Sequence, residues 1–395
     1  MEFDINWILL GLPLAFVLGW VASRFDARQM RAESRSAPKA YFKGLNFLLN
    51  EQQDKAIDAF IEAVQNDPDT SELHFALGNL FRRRGEYNRA VRVHEHLLSR
   101  GDLSRPDRNR AQHALALDFL KAGLLDRAED ALRRLEGTTF EAEARLALLA
   151  IYERSRDWKQ ASEIAQRMQS AGQGDFSARL AHYLCEEGDM EAANGQLDAA
   201  LTQYQQALQL APGAARPHLD LARLQHRLGR SAQAWSTLQA LAANSPGALP
   251  LAAPLLPEIA KALNNAPDVL RWLENQYRQA PSLDLLQALV DLDASSPPGN
   301  GANNGPDNSP DNGRQRYLAH LAKEPSLVAA TRWLVGETLA DGQHQPSIQR
   351  TLEHASKPLT RYRCAACGFE ARQHFWHCPG CQSWDSYPAR RVEEL

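Results

Sequence analysis

The chain has little cysteine: five in 395 residues, four of them inside 364–381. That is too sparse and too clustered for a disulfide framework spread over a secreted protein, and it points instead to a metal site in a reducing compartment. The chain also lacks any excess of positive charge. With 44 Lys and Arg against 48 Asp and Glu the formal net charge is -4, which excludes a general polyanion-binding surface, so no nucleic acid partner is expected. A phosphate loop, a nucleophile elbow and a paired-acid constellation are missing too, so no motif marks an enzyme. What is present is the balance of a folded chain, 44% hydrophobic and 23% charged, long enough for roughly two to three domains.

Residues 5–22 read INWILLGLPLAFVLGWVA, without a charge. As a helix this run is about 27 Å long, enough with Phe3 and Phe25 flanking it for a hydrocarbon core of about 30 Å. Trp7 and Trp20 sit near its ends, where amphipathic rings favour the headgroup layer, and Gly11 and Pro13 are tolerated in membrane helices. Glu2 and Asp4 precede it, whereas Arg24, Arg28, Arg31, Arg35 and Lys39 follow against Asp26 and Glu33. The positive-inside rule then leaves the bulk of the chain in the cytoplasm. A cleaved signal peptide would want a basic start and a small-x-small site; the start is acidic, and Val21-Ala22-Ser23-Arg24 is a poor site. The expectation is an uncleaved single-pass anchor over 1–23 and a basic juxtamembrane segment over 24–36 that contacts anionic lipid.

Residues 37–246 repeat. Small residues recur at Ala56, Ala90, Ala128, Ala161, Ala200 and Ala234, with spacings of 34, 38, 33, 39 and 34. This matches the 34-residue tetratricopeptide pattern, in which a small residue lets two antiparallel helices cross closely. Gly85, Gly123, Gly195 and Gly229 fall in the turn between the helices of a pair, where a left-handed C-cap is required. Phe60, Tyr204 and Leu238 are expected to fill the gap to the next pair. Hairpins that cannot bury their faces alone stack, so six of them predict an all-α, superhelical solenoid with a concave groove. Such an array binds peptides, helices or other proteins and by itself catalyses nothing.

Over 247–359 the repeat blurs into further helices, predicted at 254–264, 267–279, 283–292, 315–323 and 327–339. Between them, 295–313 holds one apolar residue in nineteen and is expected to be a disordered insertion. Cys185 stands alone on a repeat helix and reads as a buried small apolar residue.

The last segment, 360–395, carries two Cys-x-x-Cys turns, Cys364 with Cys367 and Cys378 with Cys381, ten residues apart. Each turn supplies two thiolates, and four thiolates fill a tetrahedron with no open position, so the role is structural and not hydrolytic. Spacing alone accepts iron or zinc. His374 and His377 are close in sequence but unneeded as ligands. Tyr362, Phe369, Phe375, Trp376 and Trp384 can supply the apolar shell of so small a module.

An anchor, a tetratricopeptide array and this terminal module, in this order, resemble the lipopolysaccharide assembly protein B (LapB/YciM) family of Gram-negative bacteria. The likeness rests above all on Tyr362, Cys364, Cys367, Gly368, Phe369, Trp376, Cys378, Pro379, Cys381 and Trp384. It implies a rubredoxin-like module with iron on Cys364, Cys367, Cys378 and Cys381, zinc being the alternative. It implies a cytoplasmic-side adaptor at the inner membrane that works with the FtsH protease in degrading the LpxC deacetylase, with other lipopolysaccharide assembly proteins as further partners. Two departures stand out: the short gap between the turns, and Gln382 where a glycine is usual, which weighs against electron transfer. A rubredoxin-type carrier and a generic envelope scaffold are the alternatives that share these features.

Overall fold

The structure is a computed structural model that describes residues 16, 20, 42–47, 49–50, 52–66, 70–295, 311–335 and 344–395. No helix among the described residues is long and apolar enough to cross a membrane. The anchor expected at 5–22 lies outside them, apart from Phe16 and Trp20, both helical and exposed. The chain divides into two compact units, Met1–Ile151 and Tyr152–Leu395.

The first unit holds α1 (Gln53–Asn66), α2 (Ser71–Arg84), α3 (Tyr87–Ser99), α4 (Arg105–Ala122), α5 (Leu125–Arg133) and most of α6 (Glu141–Ser155). Ala56, Ala90 and Ala128 are completely buried, so the small-residue phase marks the helix crossings. Gly85 and Gly123 end α2 and α4 with φ of 84° and 77°, the left-handed caps that stop a helix at no steric cost. Ser104 starts α4 by accepting the Asp107 N–H at 3.2 Å. Packing repeats as well. Phe60 lies under Gly44, and sixteen residues after Gly78 the equivalent place is taken by His94. The His94 ring is wholly buried; its Nδ1 bonds the Asp118 carboxylate, which in turn accepts from Arg82 at 2.8 Å. A polar residue stands in an aromatic slot with its Nδ1 paired to a charged pair from α2 and α4, while its Nε2 is buried without a partner among the described residues.

The second unit continues with α7 (Trp158–Ser170), α8 (Ser177–Ala193), α9 (Leu197–Leu210), α10 (Ala215–Arg227) and α11 (Ser231–Asn244). Ala161, Ala200 and Ala234 are again completely buried, and Gly195 and Gly229 have φ of 82° and 74°. The turn after α6 has Arg156 in that slot at φ 59°, a position the glycine pattern could not reveal. Asn264 does the same at φ 51° between α12 (Leu255–Ala262) and α13 (Ala266–Gln279), which a 3-10 turn, Pro246–Ala252, precedes. One cluster, including Leu238, Leu256, Ile259, Leu273 and Leu289, runs from α10 to α14 (Leu283–Ser295) without a break, so these helices extend the core of the repeats.

Residues 296–310 of the expected insertion lie outside the described residues. Its end does not: α15 spans Asp311–Leu321, so residues 311–313, expected to be disordered, are helical. Gly313 lets this helix pack closely on α14, since a Cβ in its place would come within 2.9 Å of Val290. Two more helices follow, α16 (Leu327–Val335) and α17 (Gln345–Ser356), the latter with so few apolar residues that no stripe announced it.

Candidate metal centre

Two cysteine turns form the terminal module with nearly equal backbones. In the first, the Gly368 N–H donates to the Cys364 carbonyl and the Cys364 N–H to that of Phe369, both at 2.9 Å. In the second, Gln382 donates to Cys378 and Cys378 to Ser383, again at 2.9 Å. Both turns need a left-handed residue after the second cysteine: Gly368 at φ 77°, and Gln382 at φ 61°, where a side chain bears the strain. A short antiparallel pair, β1 (Tyr362–Arg363) with β2 (Glu370–Ala371), frames the first turn, and a bridge between His377 and Trp384 frames the second.

This folding brings all four Sγ atoms within 4.8 Å of one another. Cys364 to Cys381 and Cys367 to Cys378 are each 3.8 Å apart. A tetrahedron of thiolates with metal–sulfur bonds of about 2.3 Å has edges of about 3.8 Å, so the donor set fits a tetrathiolate ion. Burial pushes the Cys364 thiol up, but the Ser386 hydroxyl and the N–H groups of Cys367 and Ala366 outweigh it and hold it below its ordinary value. Cys381 is drawn down by Ser383, through its side chain and backbone. Cys367 is pushed up: the Phe369 N–H opposes this, while the crowded thiols of Cys381, Cys364 and Cys378 drive it. A cation relieves that crowding, and binding releases protons.

His374 and His377 take no part in the sulfur cluster. His374 Nε2 bonds the Tyr387 carbonyl at 3.0 Å, and His377 Nε2 bonds that of Gln382 at 2.9 Å while its ring stacks on Trp384. Cys185 is fully buried in the α8–α9 core, and burial pushes its thiol far up, as befits an inert apolar residue.

Sequence reasoning missed how the module is seated on the helices. Trp384 lies between two imidazoles, His377 at 4.3 Å and His182 of α8 at 4.7 Å, both nearly parallel to it. Its indole N–H donates to Glu153 of α6 at 2.9 Å, and the Tyr183 hydroxyl donates to the same carboxylate oxygen. His182 Nε2 bonds Asp385 at 2.8 Å. Trp376 packs on the α10–α14 core and walls one side of a groove of about 530 Å³ that Asp189, Tyr204, Arg216 and Arg223 also line. Beyond the cysteines the tail is fastened by charge. Arg391 pairs bidentately with Asp284 at 2.9 Å and lies over the Tyr362 ring; Glu394 accepts the Leu283 N–H at 2.7 Å; Glu393 accepts from Ser326 and from the first N–H groups of α16. Two carboxylates from the chain end thereby cap α14 and α16.

A family model described as a rubredoxin metal binding domain matches residues 362–387, and tetratricopeptide models match 73–108 and 188–229. Lipopolysaccharide assembly protein B of Escherichia coli (strain K12) is 30% identical over 391 residues, 98% of this chain and 99% of its own. The Haemophilus influenzae protein of that name is 27% identical over 403 residues, 97% of each. Among solved structures, a tetratricopeptide repeat protein from Parabacteroides merdae superposes with TM-score 0.34 at 15% identity, covering 65% of this chain and 99% of that one. The four cysteines form a metal-binding site within the matched module.

Proposed function

The chain belongs to the lipopolysaccharide assembly protein B family, and from that premise we propose that it is a non-catalytic adaptor regulating lipopolysaccharide synthesis at the inner membrane. The observation that carries this reading is the similarity over 98% of the chain, which spans the helical array and the metal module together. The proposed partners are an FtsH-type membrane protease and the LpxC deacetylase, whose degradation the adaptor promotes, with other lipopolysaccharide assembly proteins as further clients.

Residues 5–22 hold the array at the bilayer with its bulk on the cytoplasmic side, in the plane where a membrane protease works. Confinement to that plane raises the effective concentration of the two without any new contact. The array offers faces for a client, and the tetrathiolate module braces it. Cys364, Cys367, Cys378 and Cys381 would hold the ion, iron by the family's precedent, with zinc the alternative. When bound, the ion supplies rigidity, since four thiolates leave it no open position.

Removing residues 1–22 tests the tether: the shortened chain should fold, and deacetylase should accumulate in cells that carry only this form. Unchanged deacetylase would contradict the reading. Visible absorbance with elemental analysis of protein from its own membranes identifies the ion, a coloured iron centre being expected and colourless zinc the other result.

A further inference from the structure

The four thiolates are unequally guarded. Cys364 and Cys378 are buried, the latter completely, and Cys381 is half-buried, whereas Cys367 is exposed. The rim around it, Ala365, Ala366, Gly368, Phe369, Pro379 and Gly380, is exposed as well and carries no charge. Cys367 is the most exposed of the four cysteines, so a small neutral oxidant meets it first. Cys378, buried in the other turn, places its sulfur 3.8 Å away. From this geometry we infer that Cys367 is an oxidation site for peroxide, whose reaction closes a disulfide to Cys378, expels the ion and loosens the seat of the module on α8.

The chemistry balances. The Cys367 thiolate attacks one peroxide oxygen, the O–O bond breaks, and hydroxide leaves a sulfenic acid. The Cys378 thiolate then attacks that sulfur, the S–O bond breaks, and a second hydroxide leaves. Two thiolates give up two electrons to form one S–S bond, and peroxide is reduced to two waters once two protons are taken up. Two of four donors are lost, and the remaining pair cannot hold a tetrahedral ion.

The consequence reaches the helices because both turns hold the segment that presents Trp384 and Asp385. The Ala365 N–H donates to the Ser386 carbonyl at 2.7 Å, Cys378 to Ser383 at 2.9 Å, and Asp385 to Trp376 at 2.9 Å. Ser386 Oγ also lies 3.3 Å from Cys364 Sγ. Drawing Cys367 and Cys378 into a disulfide distorts both turns, and with them the contacts of Trp384 with Glu153 and of Asp385 with His182. The inference rests on the cluster holding a metal, not on the lipopolysaccharide role.

The test uses the full chain in detergent, loaded with zinc, which is itself redox-inert. Sub-stoichiometric hydrogen peroxide is added, zinc release is followed with a chromogenic chelator, and disulfides are mapped by mass spectrometry. Hydrogen exchange is read over 383–387 and α8. The first disulfide should join Cys367 and Cys378, one zinc should leave per disulfide formed, and exchange in both segments should rise together. Thiol reductant with added zinc should reverse all three, and buried Cys185 should stay unmodified throughout. Oxidation at Cys364 or Cys381 ahead of Cys367, or zinc retained under tenfold excess peroxide, would overturn the inference. A reduced chain that takes up no zinc or iron at all would overturn the metal reading along with it. A Cys367→Ser variant that keeps zinc on three thiolates should release it at least tenfold more slowly.

Discussion

Trp384 donates its indole N–H to Glu153 at 2.9 Å across 231 positions of sequence. That bond joins the metal module to the end of α6, and Glu153 is buried where it accepts it. A hydrogen bond to a charged group contributes about 1.5–3 kcal/mol, although Tyr183 keeps the carboxylate partly satisfied when the indole is lost. Trp384→Phe should therefore cost about 1–2 kcal/mol, and Trp384→Ala, which also empties the slot between His182 and His377, about 3–5 kcal/mol. Urea unfolding of the two variants checks the order. Equal stability of Trp384→Phe and the parent chain would contradict the assigned role.

Gln382 holds a left-handed backbone that Gly368 adopts freely in the matching turn. Replacing Gln382 with glycine removes the side-chain clash but adds freedom to the unfolded chain, for a net gain of about 0.5–1 kcal/mol. The metal should then be held more tightly in competition with a chelator. Gly368→Ala should act in the opposite sense, loosening metal and lowering the melting temperature.

Gly78 and His94 meet so closely that a Cβ at 78 would lie 2.5 Å from His94 Nε2. The histidine is pinned by Asp118 and cannot retreat. Gly78→Ala should cost about 1–3 kcal/mol by overpacking. In a His94→Ala background the same change should be nearly free, and the double-mutant cycle measures the difference.

His374 and His377 both have pKa values lowered, in each case first by burial. The folded chain keeps them neutral while the unfolded chain protonates them near the ordinary value of about 6.5. Their contribution is therefore present above that value and is lost as the pH falls through the lowered folded pKa. Proton competition for the thiolates acts in the same direction. Unfolding measured at pH 7.5 and 5.5 should show the module less stable at the lower pH; equal stability would contradict the sign.

Local steric rules were readable in the sequence. Six alanines in phase are all completely buried, because a close helix crossing excludes anything larger. The cysteine turns were readable for the same reason, since a knuckle is built from neighbours. Arg156 and Asn264 escaped notice because they take a left-handed conformation without being glycine. The seat of the module escaped because it is made of distant pairs, Trp384 with Glu153, Asp385 with His182 and Arg391 with Asp284. None of these leaves a local periodicity. Glu393 and Glu394 look like an ordinary acidic tail until the helices they cap are in place.

The most direct measurement captures the full chain from cross-linked membranes while deacetylase lifetime is followed in the same cells. Co-capture of the membrane protease, together with a deacetylase that persists several-fold longer when the chain is depleted, is the result expected of a tethered adaptor. A chain that brings down no protease, and whose loss leaves the deacetylase lifetime unchanged, would contradict it.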